Sequence, residues 1–209
     1  MKKASYIIFD CETGGLDENE NPITQIAFLT IDNDTLKETN RFEMFIQPYD
    51  DLVITKKALK MTGLKMSDIN SGETKSNAVK LIKKIFKDSM PSKHPSNRPV
   101  LVGHNVKFDM RMLSKLFELS KDNLFDYIND NPICTMTLSK MLTPKTDSLA
   151  LGICCENAGI KLQNAHRAMP DVVATTDLFR VYVRTLRGNE LSASNQESNN
   201  KKSRNKFQF

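Results

Sequence analysis

No run of about 18 apolar residues occurs in the 209-residue chain, so no transmembrane helix is expected. The opening apolar stretch, Tyr6-Ile7-Ile8-Phe9 behind a basic tip, stops at Asp10 and is too short for the core of a signal peptide. Cysteine is scarce. Cys11, Cys134, Cys154 and Cys155 are the full set, and no two are spaced C-x-x-C, which argues against a zinc or dithiol redox motif. They read as reduced core cysteines of a cytosolic protein. Charge of one sign is not in excess: 30 basic and 25 acidic residues leave +5. That permits a polyanionic partner without demanding one. No internal repeat is visible.

The length suggests one domain, since a chain of this size buries roughly 70% of the surface its unfolded form exposes. The boundary falls at residue 187. Residues 188–209 are mostly Asn, Ser, Lys, Glu and Gln, with almost nothing to bury, and read as a disordered tail. Lys201, Lys202, Arg204 and Lys206 against Glu190 and Glu197 give the tail +2 of the chain's +5. It ends Lys-Phe-Gln-Phe, either an untethered end or a short docking peptide.

Residues 1–187 alternate strand and helix patterns. Strands are predicted over 5–12, 23–31 and 41–47, the last two separated by an Asp-Asn-Asp turn. Three strands joined by short turns suggest an antiparallel meander. Further strands are predicted over 99–102 and 132–136, and helices over 77–86, 105–119, 148–158 and 172–186. The fold class is therefore α/β: a mixed sheet of about five strands flanked by helices.

Three short segments carry chemistry. Asp10 and Glu12 end the first strand, and positions i and i+2 share a face. Two carboxylates on one face repel, and apolar neighbours make that worse, so a cation belongs there. Hard oxygen ligands suit Mg²⁺ or Mn²⁺. The pair is weak alone, because 25 acids in 209 residues give about three acid-x-acid pairs by chance. The apolar run before it and Thr13-Gly14-Gly15-Leu16 after it strengthen it. The second segment is Gly103-His104-Asn105-Val106-Lys107-Phe108-Asp109, where Asn105 suits a helix N-cap and Asp109 lies about one turn in. His104 reads as structural and His94 as solvated. The third is His166-Arg167-Ala168-Met169-Pro170-Asp171. Pro170 and Asp171 suit a first helical turn and His166 the loop before it, free to titrate near neutral pH.

Together these read Asp-x-Glu, His-Asn-x-x-Phe-Asp and His-x-x-x-x-Asp. The chain resembles the DEDDh family of 3′–5′ exonucleases over about residues 5–186, most closely the branch that proofreads for bacterial DNA polymerase III. Smaller shared features are Thr62-Gly63-Leu64 and Cys134-Thr135. Departures are Thr13-Gly14-Gly15 for the usual Thr-Thr-Gly, Thr62 where a histidine is frequent, and Cys134 where an aspartate often stands.

The resemblance implies a ribonuclease-H-like fold and two-metal hydrolysis of a terminal phosphodiester. Asp10, Glu12, Asp109 and Asp171 would hold two Mg²⁺ or Mn²⁺ ions. Asp10, Glu12 and Asp171 would ligate the first, Asp10 would also reach the second, and Asp109 would act mainly through water. His166 would take the proton of the attacking water. Leu16 and Phe108 would pack on terminal bases. Thr13, Asn105 and the backbone near Thr62 and Gly63 would hold the terminal sugar and phosphate. Lys56, Lys57, Lys60 and Lys65 either follow the strand's backbone or form a solvated helix face. The expected substrate is the 3′ end of single-stranded DNA, released as nucleoside 5′-monophosphates in proofreading or repair. RNA trimming is the rival reading, and an inactive nucleic-acid or protein-binding module a third. The tail would tether a separate DNA polymerase or sliding clamp. No membrane partner is expected.

Overall fold

The structure is a computed structural model that describes residues 4–143, 148–162 and 166–204, with side chains as far as residue 188. Five strands form one sheet: β1 (Tyr6–Thr13), β2 (Ile23–Ile31), β3 (Glu38–Phe45), β4 (Val100–Gly103) and β5 (Ile133–Cys134), in the order β3-β2-β1-β4-β5. The first three pair antiparallel, as the meander predicts, while β4 and β5 continue parallel to β1. Among the described residues seven α-helices flank it: α1 (Lys56–Thr62), α2 (Met66–Asn70), α3 (Lys75–Asp88), α4 (Lys107–Leu119), α5 (Thr135–Leu142), α6 (Leu151–Asn157) and α7 (Ala168–Arg204). None is long and apolar enough to cross a membrane among the described residues.

The two-residue period of β1 divides the interior. Ile7, Phe9 and Cys11 enter one core with Ile82 and Phe86 of α3 and Leu113 and Phe117 of α4. Ile8 enters a second with Val172, Phe179 and Val183 of α7. Asp10 and Glu12 follow Ile8 in phase and so belong to the α7 face. A third cluster joins Cys154 and Cys155 of α6 to Leu178 and Tyr182 of α7. All four cysteines are free, and only Cys134 is not fully buried.

Several elements depart from the expectations. β3 starts at Glu38 rather than 41, because its ladder with β2 extends to the pair Ile31–Glu38. The strand expected over 132–136 ends at Cys134. Thr-Met-Thr has the β-branched look of a strand, but Thr135 opens α5, whose Ser139 hydroxyl lies 2.7 Å from Tyr182 Oη of α7. Asn105 is not the N-cap of α4. It takes the left-handed conformation (φ 59°), which asparagine tolerates, and Val106 occupies the cap position. α1 and α2 are short and carry no helix-long apolar stripe, so the periodicity misses them. α7 starts at Ala168 and continues past Gly188 to Arg204, into the stretch that composition reads as disordered. Backbone hydrogen bonding needs no burial, although a polar helix without packing is marginal. Residues 205–209, with the terminal Phe-Gln-Phe, lie outside the described residues.

Candidate active site

β1 is the central strand, and its carboxyl end lies where the antiparallel half of the sheet meets the parallel half. A crevice opens there because the chain leaves in different directions on the two sides. β4 accompanies β1 only as far as the pair Ile8–Val102. Beyond it the chain turns away at Gly103, where a Cβ would meet Val106 Cγ2 at 2.9 Å. That turn delivers Asp109 to the vacated edge, and the Cys11 backbone N–H donates to Asp109 Oδ1 at 3.1 Å.

From the other face comes the start of α7. The Ala168 N–H donates to Gln25 Oε1 (3.3 Å) of β2, and the Gln25 amide donates to Glu43 Oε1 (3.0 Å) of β3. One helical turn on, Asp171 Oδ2 accepts from the His166 backbone N–H at 3.0 Å. His166 itself is left-handed, with φ 65°. Carboxylate oxygens of Asp10, Glu12 and Asp171 lie within 4.8 Å of one another.

Burial and crowding leave these acids short of compensation. Burial pushes the Asp10 carboxyl well above the usual range, and Asp109, Glu12 and Asp171 push it further. Glu12 is pushed up to about 7 by burial and by Asp171, against the opposing charge of Arg167. Burial also raises Asp109, although backbone N–H groups including that of Cys11 pull it back. Asp171 is raised by burial and lowered by its bond to His166. Asp171 Oδ1 is buried and has no hydrogen-bond partner among the described residues. An orphaned carboxylate oxygen among crowded acids fits a divalent cation with hard oxygen ligands.

A family profile described as RNase_T exonuclease matches residues 7–179. The chain belongs to this exonuclease family. It is a 3′–5′ exonuclease of the DEDDh type. Ribonuclease T of Wigglesworthia glossinidia brevipalpis is 31% identical over 180 residues, covering 83% of this chain and 81% of that protein. The PolC-type DNA polymerase III of Oceanobacillus iheyensis is 28% identical over 206 residues, which are 98% of this chain but 13% of the polymerase. The fold matches E. coli exonuclease I in complex with a dT13 oligonucleotide. That match has a TM-score of 0.72 at 21% identity over 92% of this chain and 43% of that one.

The exonuclease has a cleft of about 200 Å³ beside the acids. Of the six residues expected to contact substrate, Thr13, Leu16, Thr62 and Phe108 line it, with Glu12 on the same wall. Leu16 is 77% exposed, so it is not a core residue, and Phe108 is half-buried. Asn105 and Gly63 do not line the cleft. Asn105 instead offers its carbonyl to the Phe108 N–H at 3.0 Å. Gly63 is the left-handed cap (φ 64°) that stops α1, a conformation costly for other residues.

Sequence reasoning missed Met61, which also lines the cleft and is 55% exposed; Lys57, one of the four lysines read as following the strand's backbone or as a solvated face, lines it too. Ala58, Met61 and Thr62 stand at helical i, i+3, i+4 spacing, which was the available signal. It missed Gln25 as well, for which a lone strand glutamine gives no local cue. His104 is structural as expected. Its Nε2 donates to the Leu149 carbonyl (2.7 Å) and its Nδ1 lies 2.9 Å from Thr135 Oγ1, while burial lowers its pKa.

Proposed function

We propose that the exonuclease hydrolyses the terminal phosphodiester at the 3′ end of single-stranded DNA and releases nucleoside 5′-monophosphates with two bound divalent cations, Mg²⁺ or Mn²⁺. The observation that carries this reading is the convergence of Asp10, Glu12 and Asp171 within 4.8 Å, with one Asp171 oxygen buried and unpartnered among the described residues. Asp109 completes the four acids that would hold the ions. When bound, such cations activate water as a nucleophile and neutralise charge on the phosphate and leaving oxygen.

The chain's own side chains do the rest. His166, exposed on the loop before α7, receives the proton of the attacking water. Leu16 and Phe108, with Met61 of α1, line an apolar cleft for one or two unstacked bases, which favours single strands without reading sequence. Thr13 and Thr62 line that cleft with Glu12 and would hold the terminal sugar. Lys57 of α1 lines the cleft and adds positive charge to it.

RNA trimming is the second reading, favoured by the likeness to a ribonuclease T over most of that protein's length. The PolC likeness suggests a polymerase context in replication or repair. We take residues 1–187 as the exonuclease unit. The Arg187 guanidinium donates to the Asn33 and Asp34 carbonyls and ties the end of that unit to the β2–β3 turn. Residues 188–209 are then a basic tether for a polymerase or clamp. Deleting them should spare cleavage of short oligonucleotides and abolish capture of that partner. The four free cysteines support a cytoplasmic setting.

The test uses 3′- and 5′-labelled single-stranded DNA and RNA of one sequence, with Mg²⁺, Mn²⁺ or EDTA. A metal-dependent ladder shortening from the 3′ end is expected, faster on DNA. Faster loss of RNA would transfer the assignment to RNA trimming. Intact strands with a folded protein would overturn both.

A further inference from the structure

Arg167 joins two parts of the site that sequence keeps 104 residues apart. It follows His166 and precedes α7. Its Nη2 donates to the carbonyl of Gly63, the left-handed cap of α1, at 3.3 Å. Gly63 in turn follows Thr62, which lines the nucleotide cleft with Glu12. The guanidinium is close enough to Glu12 for its charge to favour the ionised carboxylate.

The arginine is nevertheless unpaired. Among the described residues its side chain forms no ion pair, and the Gly63 carbonyl is the guanidinium's one hydrogen-bond partner. A guanidinium placed only to quench the acids would close a bidentate pair with Glu12. Held on a neutral carbonyl instead, it keeps most of its five donors. What fits such a fork, at the rim of an acid cluster, is a group with several anionic oxygens.

We propose that Arg167 is a phosphate-contacting residue, its guanidinium taking non-bridging oxygens of the substrate's terminal phosphodiester while one N–H stays on Gly63. The inference rests on the exonuclease reading and adds a ligand to it. It also gives the positive charge beside Glu12 a use that spans the catalytic loop and the base cleft.

Three variants separate charge from bracing. Arg167→Gln keeps a donor for the Gly63 carbonyl and loses the charge. Arg167→Lys keeps the charge and loses the fork. Arg167→Ala loses both. Binding of a fluorescent oligothymidylate with a cleavage-resistant terminal phosphorothioate is followed by anisotropy across a salt series. Loss of one phosphate contact should make the slope of log K against log salt shallower by about 0.7. That change is expected in Arg167→Gln and Arg167→Ala with roughly tenfold weaker binding at low salt, while Arg167→Lys keeps the wild-type slope. With Mg²⁺ and a natural DNA end, KM should rise in Arg167→Gln. An unchanged slope in Arg167→Gln would overturn the proposal and leave Arg167 as a brace for Gly63. A wild-type protein that cuts no strand would instead overturn the exonuclease reading beneath it.

Discussion

The Cys11 backbone N–H donates to Asp109 Oδ1 at 3.1 Å, linking residues 98 apart in sequence. β4 has left β1 by this point, so the carboxylate does for Cys11 what a strand carbonyl would do. The same bond brings the Asp109 charge among Asp10 and Glu12. Edge closure and site assembly therefore share one side chain.

Two substitutions of Asp109 separate these roles. Asp109→Asn keeps an oxygen for the Cys11 amide and removes the charge. Asp109→Ala leaves a buried N–H unsatisfied, which costs about 1–3 kcal/mol. Both should lose cleavage. Only Asp109→Ala should lose stability, by thermal or urea unfolding in EDTA. Equal midpoints for the two variants would contradict the assignment of Asp109 as the acceptor that closes this edge.

The crowded acids predict a pH dependence for the metal-free protein. Glu12 titrates near 7 in the fold against 4.5 in the unfolded chain. A carboxyl raised in the native state binds more protons there than in the unfolded state. Its contribution is favourable below about pH 4.5 and is lost as pH rises towards about 7. The melting temperature in EDTA should fall between pH 5 and 8 by a few degrees, as expected for about 1–2 kcal/mol in a chain of this size. Mg²⁺ or Mn²⁺ at pH 8 should restore it, and Asp10→Asn should flatten the fall. A melting temperature that rises across this window would show that the acids are not frustrated.

Much of this arrangement was legible before any coordinates. Ile7, Ile8 and Phe9 mark a buried strand by composition alone, and the two-residue period then forces Asp10 and Glu12 onto one face. Likewise Pro170 and Asp171 announce a helix start. What escaped is long-range. Whether Asp109 meets β1 depends on where β4 stops pairing, which no local pattern reports. Gln25 looks like any strand glutamine until Ala168 arrives 143 residues later. Asn105 misled because asparagine serves both N-caps and left-handed turns, and here it takes the second.

Gln25 yields a third prediction. It lies opposite Glu12 in the β1–β2 register and is buried, with its carbonyl on the first amide of α7 and its amide on Glu43. Gln25→Leu keeps the approximate volume and strands both partners, costing about 1–3 kcal/mol. Asp171, one turn into α7, would lose its fixed height over β1. A lowered melting temperature together with a lowered kcat is expected. Full activity in Gln25→Leu would show that α7 needs no anchor from β2.

His166 and Asp10 should fail differently. Asp10 stands at the centre of the acid cluster, so Asp10→Ala should abolish cleavage in a folded protein. His166 contributes a proton transfer, and His166→Ala should cut kcat by about 10²–10⁴ while leaving KM nearly unchanged. Because the Asp171 bond uses the His166 backbone N–H, the alanine variant retains it. Stability should therefore hold, and the loss reads as chemistry. An undiminished kcat in His166→Ala would remove it from the reaction.

Leu16 offers a test of binding alone. It is 77% exposed, so its truncation removes little buried area and should leave the melting temperature within about 1 °C of wild type. It lines the cleft together with Met61, where an unstacked base would replace water on exposed apolar side chains. A base contact of this kind is worth about 1–3 kcal/mol, or roughly 5- to 150-fold in affinity. Leu16→Ala should raise KM within that range on single-stranded DNA and leave kcat nearly unchanged. Met61→Ala should do the same more weakly, and the double variant should show less than the summed effect if one base bridges the two. A Leu16→Ala enzyme with unaltered KM would place the terminal base elsewhere and leave the cleft without a substrate.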